Sequence, residues 1–161
     1  VCSSDLKLTT GFPTTLARTG AWHTVLSGFH LGKSVDGEGD GQPQLQLLGD
    51  DSNGDDEDGI TFPAAIVSGG TTQVQVEVAV PPGQTAFIDA WSDYNGDLDW
   101  DDAGEKVLSS RLVVNGVQSF TLTIPAGLRA GPVASRWRLS KQGGLDYKGG
   151  GGAGEIGRAH V

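Results

Sequence analysis

From Thr72 the chain reads TQVQVEVAV, in which Val74, Val76, Val78 and Val80 alternate with Gln73, Gln75, Glu77 and Ala79. Alternation puts the two sets on opposite faces of an extended chain, so this run predicts a half-buried β-strand. The PPG at Pro81 to Gly83 withholds backbone donors and permits a tight reversal, which ends the strand. AFIDAWSDY, from Ala86, predicts the next strand, and KVLSSRLVV, from Lys106, a third. VNG at Val114 to Gly116 carries the Asn-Gly pair favoured in two-residue hairpins, so a fourth strand is expected to fold straight back. In it Phe120, Leu122 and Ile124 share one face and Ser119, Thr121 and Thr123 the other, as far as Pro125. VASRWRLS, from Val133, places Val133, Trp137 and Leu139 inward and Arg136 and Arg138 outward.

Short alternating strands separated by turn residues predict an all-β fold: an antiparallel β-sandwich, Ig-like or jelly-roll-like, with long acidic loops. Its expected core contains Val74, Val76, Val78, Phe120, Leu122, Ile124, Trp137 and Leu139. The N-terminal third is less regular. WHTVLSGFHLG accommodates one or two short strands, Asp36 to Gly59 reads as loop, and GGGG at Gly149 to Gly152 reads as a flexible linker or loop.

Composition supports the absence of helices: 26 of 161 residues are Gly and none is Met, and Gly costs about 1 kcal/mol relative to Ala inside a helix. No apolar run approaches the ~20 residues of a membrane helix, and no basic-then-apolar signal pattern opens the chain, so membrane insertion is not expected. The two ends change the picture more. Val1 to Leu6 and Ile156 to Val161 can be encoded by reverse-complementary stretches of one oligonucleotide, as the translated adapter ends of a sequencing read would be. Residues 1–6 and 156–161 are therefore expected to be artefacts that pack against nothing, and residues 7–155 to form a single domain. That reading removes the only cysteine, Cys2, and also His160 from any chemistry.

The formal net charge is −9, and most of the acid lies in two stretches without Lys or Arg, Asp36 to Asp58 and Asp89 to Glu105. A negative surface repels phosphate backbones, so nucleic acid is not an expected partner. Hard divalent cations are: Ca²⁺ takes six to eight oxygens at about 2.3–2.6 Å from loops that wrap it. DYNGDLDWDDAGE offers Asp93, Asn95, Asp97 and Asp99 in alternation, then Asp101, Asp102 and Glu105, with Gly96 free to bend sharply. An EF-hand loop wants Gly at its sixth position and Glu at its twelfth; counted from Asp93, this chain has Leu98 and Gly104 there. A second group offers Asp50, Asp51, Asn53, Asp55, Asp56, Glu57 and Asp58, and a third offers Asp36, Glu38 and Asp40. The expected metal ligands are Asp93, Asn95, Asp97, Asp99, Asp102 and Glu105, with Asp51, Asn53, Asp55 and Asp58, and the expected ion is Ca²⁺. The alternative is that these are solvated loops whose carboxylates keep the chain soluble.

Other chemistry is weakly signalled. His23 and His30, seven apart, face opposite sides of a straight strand and are read as structural. No serine lies in a nucleophile-elbow pattern and no phosphate-loop lysine follows a strand, so no enzymatic activity is expected. A metal-dependent hydrolase would rest on carboxylates alone, such as Asp51 and Asp93 flanking a glycosidic bond. Trp91 and Trp100 bracket the best cation loop. Exposed, they would suit a carbohydrate-binding module; buried, they anchor the loop or the core.

In order along the chain, GAWHTV, LGKSVDGEGDGQP, GDDSNGDDEDGITFP, AWSDYNGDLDWDDAGE and RWRLS resemble the GEVED domain family from Gly11 to Gly154. The resemblance implies a β-sandwich without assigned enzymatic activity, found in large extracellular bacterial proteins beside adhesion-type repeats or sorting signals. It further implies a secreted or cell-surface location. Expected partners are calcium, neighbouring domains of the same polypeptide, and a cell-surface glycan or protein ligand. The sequence departs from the family at both ends. The acidic naming motif is reduced to Gly154 and Glu155, which makes the domain incomplete there, and LKLTTGFPTTLARTG lacks the usual acidic opening.

Overall fold

The structure is a computed structural model that describes residues 12–13, 16–22, 24, 26–34, 59–128, 131 and 133–150, together with the backbone of 155–160. β3 (Thr71–Ala79) is the strand that the valine alternation predicts, with Val74, Val76 and Val78 buried between exposed Gln73, Gln75 and Glu77. It is the middle of the first sheet. β6 (Gly116–Thr123) pairs antiparallel along one side, from Thr71 opposite Thr123 to Val78 opposite Gly116. Two short strands, β1 (His30–Leu31) and β2 (Ile60–Thr61), share the other side. Where these meet, the Glu77 N–H donates to the Gly59 carbonyl (2.7 Å) and the Gly32 N–H to the Glu77 carbonyl (3.0 Å). A Cβ on residue 59 would stand 2.2 Å from the Gly32 nitrogen, so glycine is what lets β1 and β2 lie along one strand.

The second sheet runs β5 (Lys106–Val113), β4 (Ala86–Ser92), β7 (Ser135–Ser140), β8 (Glu155–His160), antiparallel throughout. The two sheets pack face to face as an antiparallel sandwich. Ile88, Ala90, Trp137 and Leu139 from the second sheet meet Val74, Val76, Val78, Leu122 and Ile124, on or just beyond the first sheet's strands, in one core. Phe120, also expected there, is half-buried against its margin. Among the described residues the only helical element is a 3-10 turn at Leu16–Arg18, and no helix is long and apolar enough to cross a membrane.

Four expectations are corrected. Asn115 and Gly116 do not close a hairpin, because β5 and β6 belong to different sheets. The turn instead carries the chain across the sandwich, with Asn115 Oδ1 accepting the Val80 N–H at 3.2 Å. Next, Arg136 and Arg138 are not solvent-facing: both are fully buried, because the outer face of β4 and β7 is itself covered, by Phe12–Pro13 and Leu145–Gly150. Arg136 donates to the carbonyls of Tyr147 and Pro13. Arg138 donates to those of Asp146, Lys148, Trp22 and Gly149. A guanidinium brings five donors in a planar fork, and this cover meets the Nη groups of both with backbone acceptors.

The third correction concerns the glycine tract. Gly149 accepts the Trp22 N–H (3.3 Å) and donates to the Thr19 carbonyl (2.8 Å), and Gly150 bridges Trp22, so these two glycines are fixed. Lastly, Glu155–His160 does not stand clear of the fold. It forms β8, paired with β7 from Ser140 opposite Glu155 to Arg136 opposite His160 across one irregularity in register. Residues 1–6 lie outside the described residues.

Candidate metal centre

β4 and β5 are antiparallel neighbours, so residues 93–105 must reverse the chain between them. The mouth is held by the Ser92 N–H on the Glu105 carbonyl (2.8 Å) and the Asp93 N–H on the Ala134 carbonyl (2.9 Å). Two aromatic residues fasten it on opposite sides. Tyr94 enters the core between the sheets. Trp100 enters a second apolar cluster on the outer face, with Phe12, Trp91, Ala134, Leu145 and Tyr147. Its ring lies 4.4 Å from Phe12 and 5.8 Å from Tyr147, centre to centre, and Nε1 donates to the Ala134 carbonyl at 3.4 Å.

Between these anchors each acidic or amide side chain accepts a nearby N–H. Asp93 takes those of Gly96 and Leu98, Asn95 that of Asp97, Asp97 that of Asp99, and Asp99 that of Asp101. Short Asx side chains reach their own backbone a few residues on, which is why this composition forms a curled loop rather than an extension of the strands. Gly96 and Leu98 both have φ of 76°. Leu98 thus holds, at the sixth position from Asp93, the left-handed conformation that an EF-hand assigns to Gly. The twelfth-position acid stands one residue later, at Glu105. Leu98 is 39% exposed, so Leu98→Gly relieves about 1–2 kcal/mol of left-handed strain but gives up the covered part of the side chain and loosens the unfolded chain. The opposing effects are of similar size, and stability by urea unfolding is expected to stay within about 1 kcal/mol of the wild type; a larger loss would show that the side chain anchors the loop.

The loop brings Asp93, Asp97 and Glu105 together, with one carboxylate oxygen from each lying within 4.8 Å of the others. Oxygens sharing one ion at 2.3–2.6 Å lie at most about 5 Å apart, so the spacing suits a single Ca²⁺. Glu105 is 3% exposed. Its Oε2 accepts the Asp102 N–H (3.2 Å), while its buried Oε1 has no well-formed hydrogen bond, the Tyr94 N–H lying near the carboxylate without good geometry. Burial first, and then the charges of Asp93 and Asp97, push its carboxyl from 4.5 up to about 7, against the opposing pull of the Asp102 and Tyr94 N–H groups.

The remaining predicted ligands divide. Asn95 Nδ2 donates to Asp97 Oδ2 (2.9 Å) and Asp102 Oδ2 (2.5 Å), which places Asn95 and Asp102 beside the triad. Asp99 is not drawn into it; its Oδ1 holds the Asp101 N–H. Asp51, Asn53, Asp55 and Asp58 lie outside the described residues, as do Asp36, Glu38 and Asp40. Asp101 turns away to Lys148 (3.2 Å), and the Tyr147 hydroxyl followed by Lys148 hold its carboxyl below the usual range. Trp91 and Trp100 are buried, not exposed. His30 is structural, with Nδ1 and the Gly32 carbonyl 3.0 Å apart, and His23 lies outside the described residues.

Sequence reading missed Asp89, a fully buried acid in β4. It pairs with Lys106 (3.0 Å) and accepts the N–H groups of Ser110 and Leu145. One signal was present: Asp89 lies out of phase with Ile88 and Ala90, on the face it shares with Trp91. No curated protein and no solved structure matches this chain. The motifs GAWHTV, LGKSVDGEGDGQP and GDDSNGDDEDGITFP fall before the matched span of the family comparison. From residue 87 to residue 157, a span that holds this loop together with β5, β6 and β7 and nearly all of β4, the chain matches the GEVED domain, the family its motifs resemble.

Proposed function

We propose that this chain is a non-catalytic module of a large secreted or surface-anchored bacterial protein, in which Ca²⁺ bound by the β4–β5 loop stabilises the sandwich. The observation that carries the reading is Glu105 Oε1: a buried carboxylate oxygen without a well-formed hydrogen bond, in a group with Asp93 and Asp97. Leaving such an atom unsatisfied costs free energy that coordination would recover. The donors are all hard oxygens, which suit Ca²⁺ or Mg²⁺ rather than a soft metal. Asn95, Asp102, backbone carbonyls and water would supply the rest of a six-to-eight-oxygen shell. A module so stiffened suits a mechanical or adhesive role between neighbouring domains of one polypeptide.

Calorimetric titration of the intact chain with CaCl₂ tests this directly. One site of millimolar or tighter affinity is expected, lost in Asp97→Ala and Glu105→Gln; absence of binding in the wild type overturns the reading. The carbohydrate-binding alternative has lost the residues it stood on, since Trp91 and Trp100 present no free ring face. The hydrolase alternative stood on the pair Asp51 and Asp93, of which only Asp93 lies among the described residues.

The same glutamate predicts a pH effect. Its folded-state value is raised, so the folded protein binds this proton more tightly than the unfolded chain does. The contribution is therefore fully present below about pH 4.5 and is lost as pH rises through about 7. In chelator, the wild-type melting temperature is expected to fall across that window relative to Glu105→Gln, and millimolar Ca²⁺ is expected to flatten the difference by replacing the proton. Parallel curves for the two proteins in EDTA would contradict the assignment.

A further inference from the structure

We infer that the calcium loop is also a latch for the cover on the outer face of the second sheet, so that ion binding controls how often Phe12–Pro13 and Leu145–Gly150 lift away. This rests on the calcium reading above.

The residues that could couple loop to cover lie in the middle of the loop. Trp100 falls in sequence between Asp97 on one side and Asp102 and Glu105 on the other, so closing the loop round an ion fixes the backbone that carries it. Its ring is the wedge of the outer cluster, touching Phe12 and Tyr147. The Arg136 guanidinium lies over that ring at 4.5 Å and reaches both parts of the cover, at the Pro13 and Tyr147 carbonyls. Two polar ties run alongside: Asp101 to Lys148 at 3.2 Å, and Lys106 Nζ to the Leu145 carbonyl at 3.0 Å. The cover has little apolar surface of its own, chiefly Phe12, Leu145 and Tyr147, so it depends on Trp100 staying in place.

Coupling of this kind is reciprocal: if the cover opens only when Trp100 leaves, and Trp100 leaves only when the ion does, then calcium opposes both. An opening that releases the ion becomes rarer by the factor 1 + [L]/Kd, about a hundredfold at a hundred times Kd. An opening that leaves the loop intact is not slowed at all.

Native-state hydrogen exchange on the intact chain separates these cases. The probes are the amides of Leu145 and Gly149, both hydrogen-bonded in the cover, read against those of β3, which is buried in the sandwich. With Ca²⁺ at a hundred times its calorimetric Kd, Leu145 and Gly149 are expected to exchange about a hundredfold more slowly than in EDTA. In Trp100→Leu, calorimetric binding should persist while the slowing at these two amides disappears. Should that variant fail to fold, the wild-type measurement still decides. In EDTA, Leu145 and Gly149 are expected to exchange faster than the β3 amides, which marks a local opening. Exchange at the β3 rate both in EDTA and in Ca²⁺ would mean that the cover opens only on global unfolding and would overturn the latch. Slowed β3 amides with unchanged Leu145 and Gly149 would overturn the latch while leaving the calcium site standing. Absence of calorimetric binding would remove both.

Discussion

Calcium at a hundredfold excess over its Kd is expected to stabilise the domain by about 2.7 kcal/mol, because an ion that binds only the folded state adds RT ln(1 + [L]/Kd). For a domain of this length that is a rise in melting temperature of about 5–11 °C. Extracellular modules bind Ca²⁺ with millimolar affinity, so a shift of this full size needs correspondingly high calcium, and a partial shift appears at several millimolar. Two controls separate a coordinated ion from charge screening. Mg²⁺ demands tight octahedral geometry and gives up water reluctantly, so it should stabilise less at equal concentration. NaCl at matched ionic strength screens the repulsion among Asp93, Asp97 and Glu105 without coordinating them, and should stabilise least. Asp97→Ala is the informative variant. Asp97 is exposed, and its carboxylate accepts from Asn95 Nδ2 and the Asp99 N–H, so its loss should alter the metal-free protein little while removing most of the calcium shift. Equal stabilisation by NaCl would return the loop to a solvated acidic surface.

What the sequence revealed, and what it hid, follows from which faces of each strand are covered. β3 was legible because one face meets the core and the other meets water, so Val and Gln alternate. The acidic loop was legible because its chemistry is local: Asx turns arise from residues two or three apart, and the curl that joins Asp93 to Glu105 needs no distant partner. β7 was misread for the opposite reason. Both of its faces are buried, yet Arg136 and Arg138 occupy the outer one, and alternation cannot distinguish a guanidinium facing solvent from one facing carbonyls contributed by residues 13, 22 and 146–149. The Asn-Gly turn at residues 115–116 failed similarly. Its residues specify a tight reversal but not which sheet receives the next strand, and here β6 crosses to β3. The short strands β1 and β2 are each two residues long and exist as strands only because β3 is there to pair with them.

The buried arginine that escaped the pattern gives the other large expected effect. Arg136→Ala should cost about 3–5 kcal/mol, measured by urea unfolding, from three losses that act together. The carbonyls of Pro13 and Tyr147 lose their guanidinium donor, at about 1–3 kcal/mol for each buried acceptor left unsatisfied. The Trp100 ring loses a cation on its face. A cavity opens where the long stem had packed. Arg136→Met separates these terms, since it keeps most of the stem but donates nothing; it should recover the packing share and remain well below the wild type. Arg136→Lys keeps a charge but offers a point donor where a fork reaches two carbonyls on separate segments, so it should satisfy one and strand the other. A methionine variant as stable as the wild type would show that the carbonyl contacts contribute nothing and that the side chain serves only to fill space. If instead methionine and lysine both fall between alanine and arginine, the cover of the second sheet is held by backbone acceptors gathered on one guanidinium.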